Sequence, residues 1–408
     1  MPGGVSSPVR AFRPYPSFIQ RASGSRMYDV DGNELIDYCM GFGPHILGHG
    51  HPAVVKAVQQ QAELGTLYGA PTELELQMAE TVSRHFPSME MMRFVGSGTE
   101  ATMHAIRLAR GYTGRKLIVK MEGGFHGAHD SVLVKAGSGA TTHSAPDSAG
   151  VPEESASNTL LAPYNDIEAI ESLLSSNMGR VAAIIVEPVL GNIGPILPGE
   201  GYLERLREIT ERAGTLLIFD EVITGFRLAM GGAQARFGVR PDITTLGKVL
   251  GGGLPIGAFG ARAEIMEKIS PLGPVYQAGT FSGNPLSMAA GLAALKELES
   301  AGHEGLERKG REIRSQLSEL LHERHLPYQV AGIGSMFQIF MTDRPVRNNR
   351  DAMSADAKTF MRLFHALLER GVYIPPSQYE TCFLSMAHSD GDIRRTVNAY
   401  DGALEAIQ

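Results

Sequence analysis

The sequence has little that would tie it to an oxidising compartment, a membrane or a nucleic acid. Its 408 residues contain two cysteines, Cys39 and Cys382, far apart and without CxxC spacing. Neither a disulfide framework nor a zinc site follows from them. No stretch approaches the roughly 18 uninterrupted apolar residues that span a bilayer. The opening Met1-Pro2-Gly3-Gly4 has no basic lead into an apolar run, so no secretory signal is expected. With 37 Lys and Arg against 44 Asp and Glu, the formal net charge of -7 leaves no basic footprint for nucleic acid. The expectation is a cytoplasmic protein whose partner is a small molecule, with no membrane and no nucleic acid.

Glycine is what the sequence has in excess, 48 residues. Because these glycines cluster near strand ends and do not repeat with a period, they read as tight backbone turns around a ligand. An apolar fraction of 43% and a charged fraction of 20% are those of an ordinary globular protein. At this length a single core stops growing, and more than one domain is expected.

Residues 1–47 read as an irregular arm with a hairpin, in which Arg26-Met27-Tyr28-Asp29-Val30 precedes the turn Asp31-Gly32. From 48 to 290, short apolar runs alternate with amphipathic helical stretches; they include Met92–Val95, Leu117–Val119, Ala182–Val186 and Leu216–Phe219. Strands this continuously apolar are buried on both faces, which predicts a large α/β domain with a mainly parallel sheet covered by helices. Residues 291–408 read as a smaller α+β domain. Its helices are expected near 304–323, 355–370 and 391–406, and its strands near 333–341 and 382–386. The segment from Ala128 to Ser157 is rich in Gly, Ser, Ala, Thr and Pro, and is expected to be a loop that covers a site.

Three features along the α/β region carry chemistry. Gly96-Ser97-Gly98-Thr99-Glu100 follows a strand and opens a helix, a ready phosphate site; the same Ser97-x-x-Glu100 is also a capping box that needs no ligand. Asp220 ends a buried run at the carboxyl edge of the sheet, where open α/β sheets place ligands. It would either meet a pyridinium nitrogen or cap the next helix. Lys248 stands in the uncharged stretch Thr244–Gly253. Lysines that lose water in this way become the amine nucleophiles of Schiff-base enzymes, whereas a lone lysine in a glycine loop is usually a surface residue. Together, in this order on one sheet, the three fit pyridoxal 5'-phosphate (PLP) better than a nucleotide. His126-Gly127-Ala128-His129 is not read as a metal site, and no metal is expected.

The block from Asp220-Glu221-Val222 through Lys248 resembles the Schiff-base region of the class III, fold-type I aminotransferases. The resemblance extends nearly end to end. It includes Pro2–Phe12, Gly96–Met103, Val134–Ala140, Pro274–Thr280 and Ser282–Pro285, and Thr224-Gly225-Phe226-Arg227-Leu228 takes the form typical of the aminomutases in this class. It implies that Lys248 forms the Schiff base and shuttles the proton, while Asp220 holds the pyridine nitrogen. It further implies phosphate binding by Ser97, Gly98 and Thr99, joined by Thr280 of a second subunit, so that a homodimer shares its sites. Val222 and Phe125 would flank the ring, with His126 beside the cofactor and Asn192 near its ring oxygen. Ser7, Arg10, Ser138 and Glu380 would face the substrate, Arg10 pairing with its carboxylate. Phe125 stands where the family usually has Tyr, Phe42 where Trp is common and Ser6 where Asn is usual.

The implied reaction is an intramolecular amino transfer on an amino-aldehyde carboxylate. Glutamate 1-semialdehyde would become 5-aminolevulinate through a diamine, with the cofactor alternating between PLP and pyridoxamine phosphate. A class III ω- or β-amino-acid transaminase with a keto-acid acceptor is the alternative.

Overall fold

Apolar runs too short for helices decide the centre of the fold. Every residue of Val181–Val186 is buried, as is every residue of Leu117–Met121, Leu216–Asp220 and Ile243–Gly247. With Met91–Val95, Gly257–Ala261 and Thr159–Ala162 they form one seven-stranded sheet. The order across it is Met91–Val95, Gly257–Ala261, Ile243–Gly247, Leu216–Asp220, Val181–Val186, Leu117–Met121 and Thr159–Ala162. Gly257–Ala261 is antiparallel to both neighbours, and the other strands run parallel. The computed structural model describes residues 1–136 and 144–407.

The parallel strands need crossovers, and these supply the helical cover. Gly98–Thr113 buries Ala101, Ala105 and Leu108, the apolar face expected from their spacing. It ends at Gly114, whose left-handed φ of 69° lets its N–H return to the carbonyl of Arg110. Ile184 is fully buried in the middle of the sheet; shortening it to Ala would cost about 2–5 kcal/mol, because packed layers cannot collapse into the gap.

The hairpin of the N-terminal arm forms from Arg26–Asp29 and Glu34–Asp37. Its outer strand is Ile19–Ser23, and Val372–Tyr373 adds in parallel on the other edge. Ser25 Oγ donates to Asp392 Oδ2 at 3.0 Å, and Arg26 binds the same carboxylate, which ties the hairpin to the closing helix Asp390–Ile407. A three-stranded antiparallel sheet, Gln329–Ile333, Met336–Phe340 and Cys382–Phe383, stands apart from the large one. Tyr38, Phe337, Phe364 and Tyr400 share one core beside it, to which the helices Glu304–Glu323, Ala357–Glu369 and Asp390–Ile407 contribute. Among the described residues no helix is long and apolar enough to cross a membrane.

One segment differs from its sequence reading. The stretch 128–157 is not wholly irregular. Val134–Ala136 pairs antiparallel with Ser144–Pro146, and Glu153–Ala156 forms one helical turn. Buried Val132 and Val134 anchor this excursion to the domain. Gly257-Ala258-Phe259-Gly260-Ala261, which no sequence expectation covered, is a fully buried strand. A Cβ at Gly257 would lie only 2.1 Å from the carbonyl oxygen of Ser97, so glycine here permits close approach of the phosphate-type turn.

Candidate active site

The carboxyl ends of the parallel strands converge on a cavity of about 410 Å³, the position at which this kind of sheet holds ligands. Met91–Val95 leads to Ser97, Gly98 and Thr99; Leu117–Met121 leads to Phe125 and His126; Val181–Val186 leads to Glu187 and Asn192. Leu216–Asp220 ends in Asp220 with Val222 after it, and Ile243–Gly247 hands over directly to Lys248. All of these residues line the cavity.

Lys248 has a φ of 48°, in the left-handed region that residues with side chains rarely adopt. Its amine has no hydrogen-bond partner among the described residues, and burial lowers its pKa below the ordinary 10.5. The carboxylates of Glu187, Asp220 and Glu380 oppose that shift, and Arg227 adds to it. The result is an amine more available as a nucleophile than a solvated lysine.

Asp220 is 4% exposed and therefore needs partners. Its Oδ2 is 2.7 Å from His126 Nδ1, while Oδ1 accepts the Val222 N–H at 3.1 Å and the Thr245 hydroxyl at 3.2 Å. His126 is oriented in turn by Thr102, whose hydroxyl donates to the His126 carbonyl at 2.5 Å. His126 Nε2 is buried and has no partner among the described residues.

At the mouth of the helix Gly98–Thr113, Ser97 Oγ accepts the Glu100 N–H at 3.2 Å. The Glu100 carboxylate returns to the N–H of Gly96 at 2.9 Å. The capping interaction is thus made, but it leaves the N–H groups of Gly98 and Thr99 without an acceptor inside the helix. A Cβ at Gly98 would stand 3.0 Å from Val222 Cγ1, so a side chain here would press on Val222 and require it to shift by a few tenths of an ångström.

Glu187 was given no role in the sequence reading. It is 3% exposed, and one oxygen accepts the Phe125 N–H at 2.9 Å. The other accepts the Gly191 N–H at 2.9 Å and Asn192 Nδ2 at 3.0 Å. One carboxylate therefore ties together two loops of the cavity wall, and burial raises its pKa. The signal that would have found it is the one that found Asp220, a carboxylate directly after a buried strand.

Glu380 lies outside the lining but within electrostatic reach of Lys248. Burial pushes its pKa up to about 7 against the opposing pull of the lysine. Ser7 is half-buried, and Arg10 and Thr280 are exposed; none of the three lines the cavity of the single chain. Phe12 packs edge-on against Phe364 at 5.0 Å, which places the arm bearing Arg10 beside the C-terminal helices. Ser138 lies outside the described residues.

The donor set fits PLP. Helix-terminal N–H groups suit its phosphate, the buried Asp220 suits a protonated pyridine nitrogen, and Lys248 suits its aldehyde. The buried, unpartnered Nε2 of His126 on the cavity wall is the kind of orphaned polar atom that a bound group satisfies.

Residues 9–394 match the family model of the class III aminotransferases. The chain belongs to that family. This class III aminotransferase is 56% identical over 401 residues to the glutamate-1-semialdehyde 2,1-aminomutase of Methanococcoides burtonii, covering 98% of this chain and 95% of that protein. Its fold is similar to that of an omega-transaminase from Sphaerobacter thermophilus, with a TM-score of 0.95 at 36% identity, covering 100% of this chain and 95% of that one. It is also similar to a glutamate-1-semialdehyde aminomutase from Pseudomonas aeruginosa in complex with PMP. There the TM-score is 0.88 at 28% identity, covering 97% of this chain and 88% of that one.

Proposed function

We propose that this class III aminotransferase uses PLP held on Lys248 to convert glutamate 1-semialdehyde to 5-aminolevulinate, an intramolecular amino transfer of tetrapyrrole biosynthesis. The observation that carries the reading is an amine with no hydrogen-bond partner among the described residues, at the end of Ile243–Gly247 and lining the same cavity as the Asp220–His126 pair. The identity of 56% to an aminomutase supports the substrate.

When bound, PLP supplies an aldehyde that takes up an amine and a ring that withdraws electrons from the adjacent carbon. Lys248, with its lowered pKa, is suited to hold the cofactor and to move the proton at the substrate carbon. Asp220 would hold the pyridine nitrogen protonated, and His126 fixes the direction of that carboxylate. Ser97, Gly98 and Thr99 would hold the phosphate. Phe125, Val222 and Asn192, the last held by Glu187, would hold the ring. Glu380, poised near neutrality, can take or give a proton beside Lys248.

Arg10, Ser7 and Ser138 complete the substrate end, Arg10 gripping the carboxylate. Thr280, exposed in the single chain, would bind the phosphate in the site of a partner subunit of a homodimer. The chain works in the cytoplasm and is organised as an arm over 1–47, a PLP-binding domain over 48–290 and a small domain over 291–408.

The likeness to an omega-transaminase at a TM-score of 0.95 favours a second reading, transfer to a separate keto acid. The deciding assay supplies glutamate 1-semialdehyde alone. Formation of 5-aminolevulinate with no keto acid added supports the aminomutase, whereas strict dependence on added 2-oxoglutarate or pyruvate overturns it.

A further inference from the structure

Arg227 is 1% exposed and forms no ion pair among the described residues. A buried guanidinium without a counter-charge is costly, and an apolar side chain of similar size would fill the space more favourably. Packing alone does not account for it. Its Nη1 donates to Ser335 Oγ at 2.9 Å and to the Leu384 carbonyl at 3.1 Å, and its Nη2 donates to the Gly43 carbonyl at 2.5 Å. Its Nε is buried without a partner among the described residues. The guanidinium carbon lies 4.9 Å from the centre of the Phe383 ring.

These contacts lead to Lys248. A Cβ built on Gly43 would stand 3.5 Å from Lys248 Cδ, so the backbone of Gly43 runs beside the lysine's methylene stem. We propose that Arg227 is a positioning residue for Lys248: it holds the Gly43 backbone beside the stem and presents a positive charge to the amine. The inference rests on Lys248 being the residue that carries the cofactor.

The charged groups facing that amine are Glu187 after one strand, Asp220 at the end of another, Glu380 from the C-terminal loop, and Arg227. The three carboxylates favour the ammonium form, and Arg227 favours the free amine. Loss of the Arg227 charge therefore raises the pH at which Lys248 becomes nucleophilic.

Two variants separate charge from shape. Arg227→Met keeps much of the volume and loses the charge; Arg227→Lys keeps the charge and loses the planar fork. Full-length, cofactor-free chains are trace-labelled with acetic anhydride from about pH 6 to about pH 10, and labelling of Lys248 is followed by peptide mapping. In parallel, the rate at which PLP with cyanoborohydride modifies Lys248 is measured.

For Arg227→Met the acetylation midpoint moves up, so that labelling of Lys248 near neutrality falls relative to the unmodified chain. For Arg227→Lys the midpoint stays near that of the unmodified chain, and capture of PLP slows by about threefold or more because the Gly43 backbone is loosened. A merely structural role would not move the acetylation midpoint, and a folded Arg227→Met chain with an unshifted midpoint overturns the proposal. Should Arg227→Met not fold, the capture rate of Arg227→Lys decides, slowed for the proposal and unchanged against it. Capture at a residue other than Lys248 in the unmodified chain would overturn the function as well as this inference.

Discussion

His126 Nδ1 lies 2.7 Å from Asp220 Oδ2, with both side chains almost wholly buried. The imidazole spends one nitrogen on directing the carboxylate and leaves the other unpartnered at the cavity wall. Asp220→Asn keeps the shape of the group and removes the charge that would hold a pyridine nitrogen protonated. Its kcat is expected to fall about a hundredfold or more, while absorbance shows that the cofactor is still bound. A variant with more than about a tenth of the original kcat contradicts the assignment.

Glu380 gives a pH signature. Its pKa is raised in the folded chain from 4.5 to about 7. The folded state therefore binds more protons than the unfolded state between these values, and stability is lost as pH rises through that window. Glu187, also raised by burial, acts in the same direction. Glu380→Gln should flatten the fall in thermal midpoint between about pH 4.5 and about pH 7 in cofactor-free protein. An unchanged slope would show that Glu380 does not titrate there.

The centre of the fold was legible because it depends on continuous burial. Val181–Val186 and Leu216–Asp220 are apolar at nearly every position, and no other element buries both faces of so short a run. Gly257–Ala261 was illegible because glycine lowers strand propensity, and the reason for glycine is a neighbour, the Ser97 carbonyl, that lies far away in sequence. In the site, Asp220 and Lys248 stood out because a charge beside an apolar strand end is conspicuous. Glu187 has the same context but passed without a role, since its three partners are a backbone N–H in another loop and two groups in its own. Arg227 was read only as part of a pattern, because its acceptors, Gly43, Ser335 and Leu384, meet only in the folded chain.

Arg10 tests the substrate end. A charge-assisted fork to a carboxylate contributes about 1.5–3 kcal/mol, so Arg10→Ala should raise KM by roughly tenfold to a hundredfold. Its kcat should change little, because the carboxylate is remote from the reacting carbons. Steady-state kinetics on glutamate 1-semialdehyde decide this. A normal KM removes Arg10 from the substrate end.

Lys248 is the residue on which the account turns. Cofactor-loaded chain is reduced with borohydride, digested and mapped by mass spectrometry, with Lys248→Ala carried in parallel. The account predicts a pyridoxyl group on Lys248 and nowhere else, and none in the folded Lys248→Ala chain. An unmodified Lys248 in reduced, cofactor-loaded protein would contradict it.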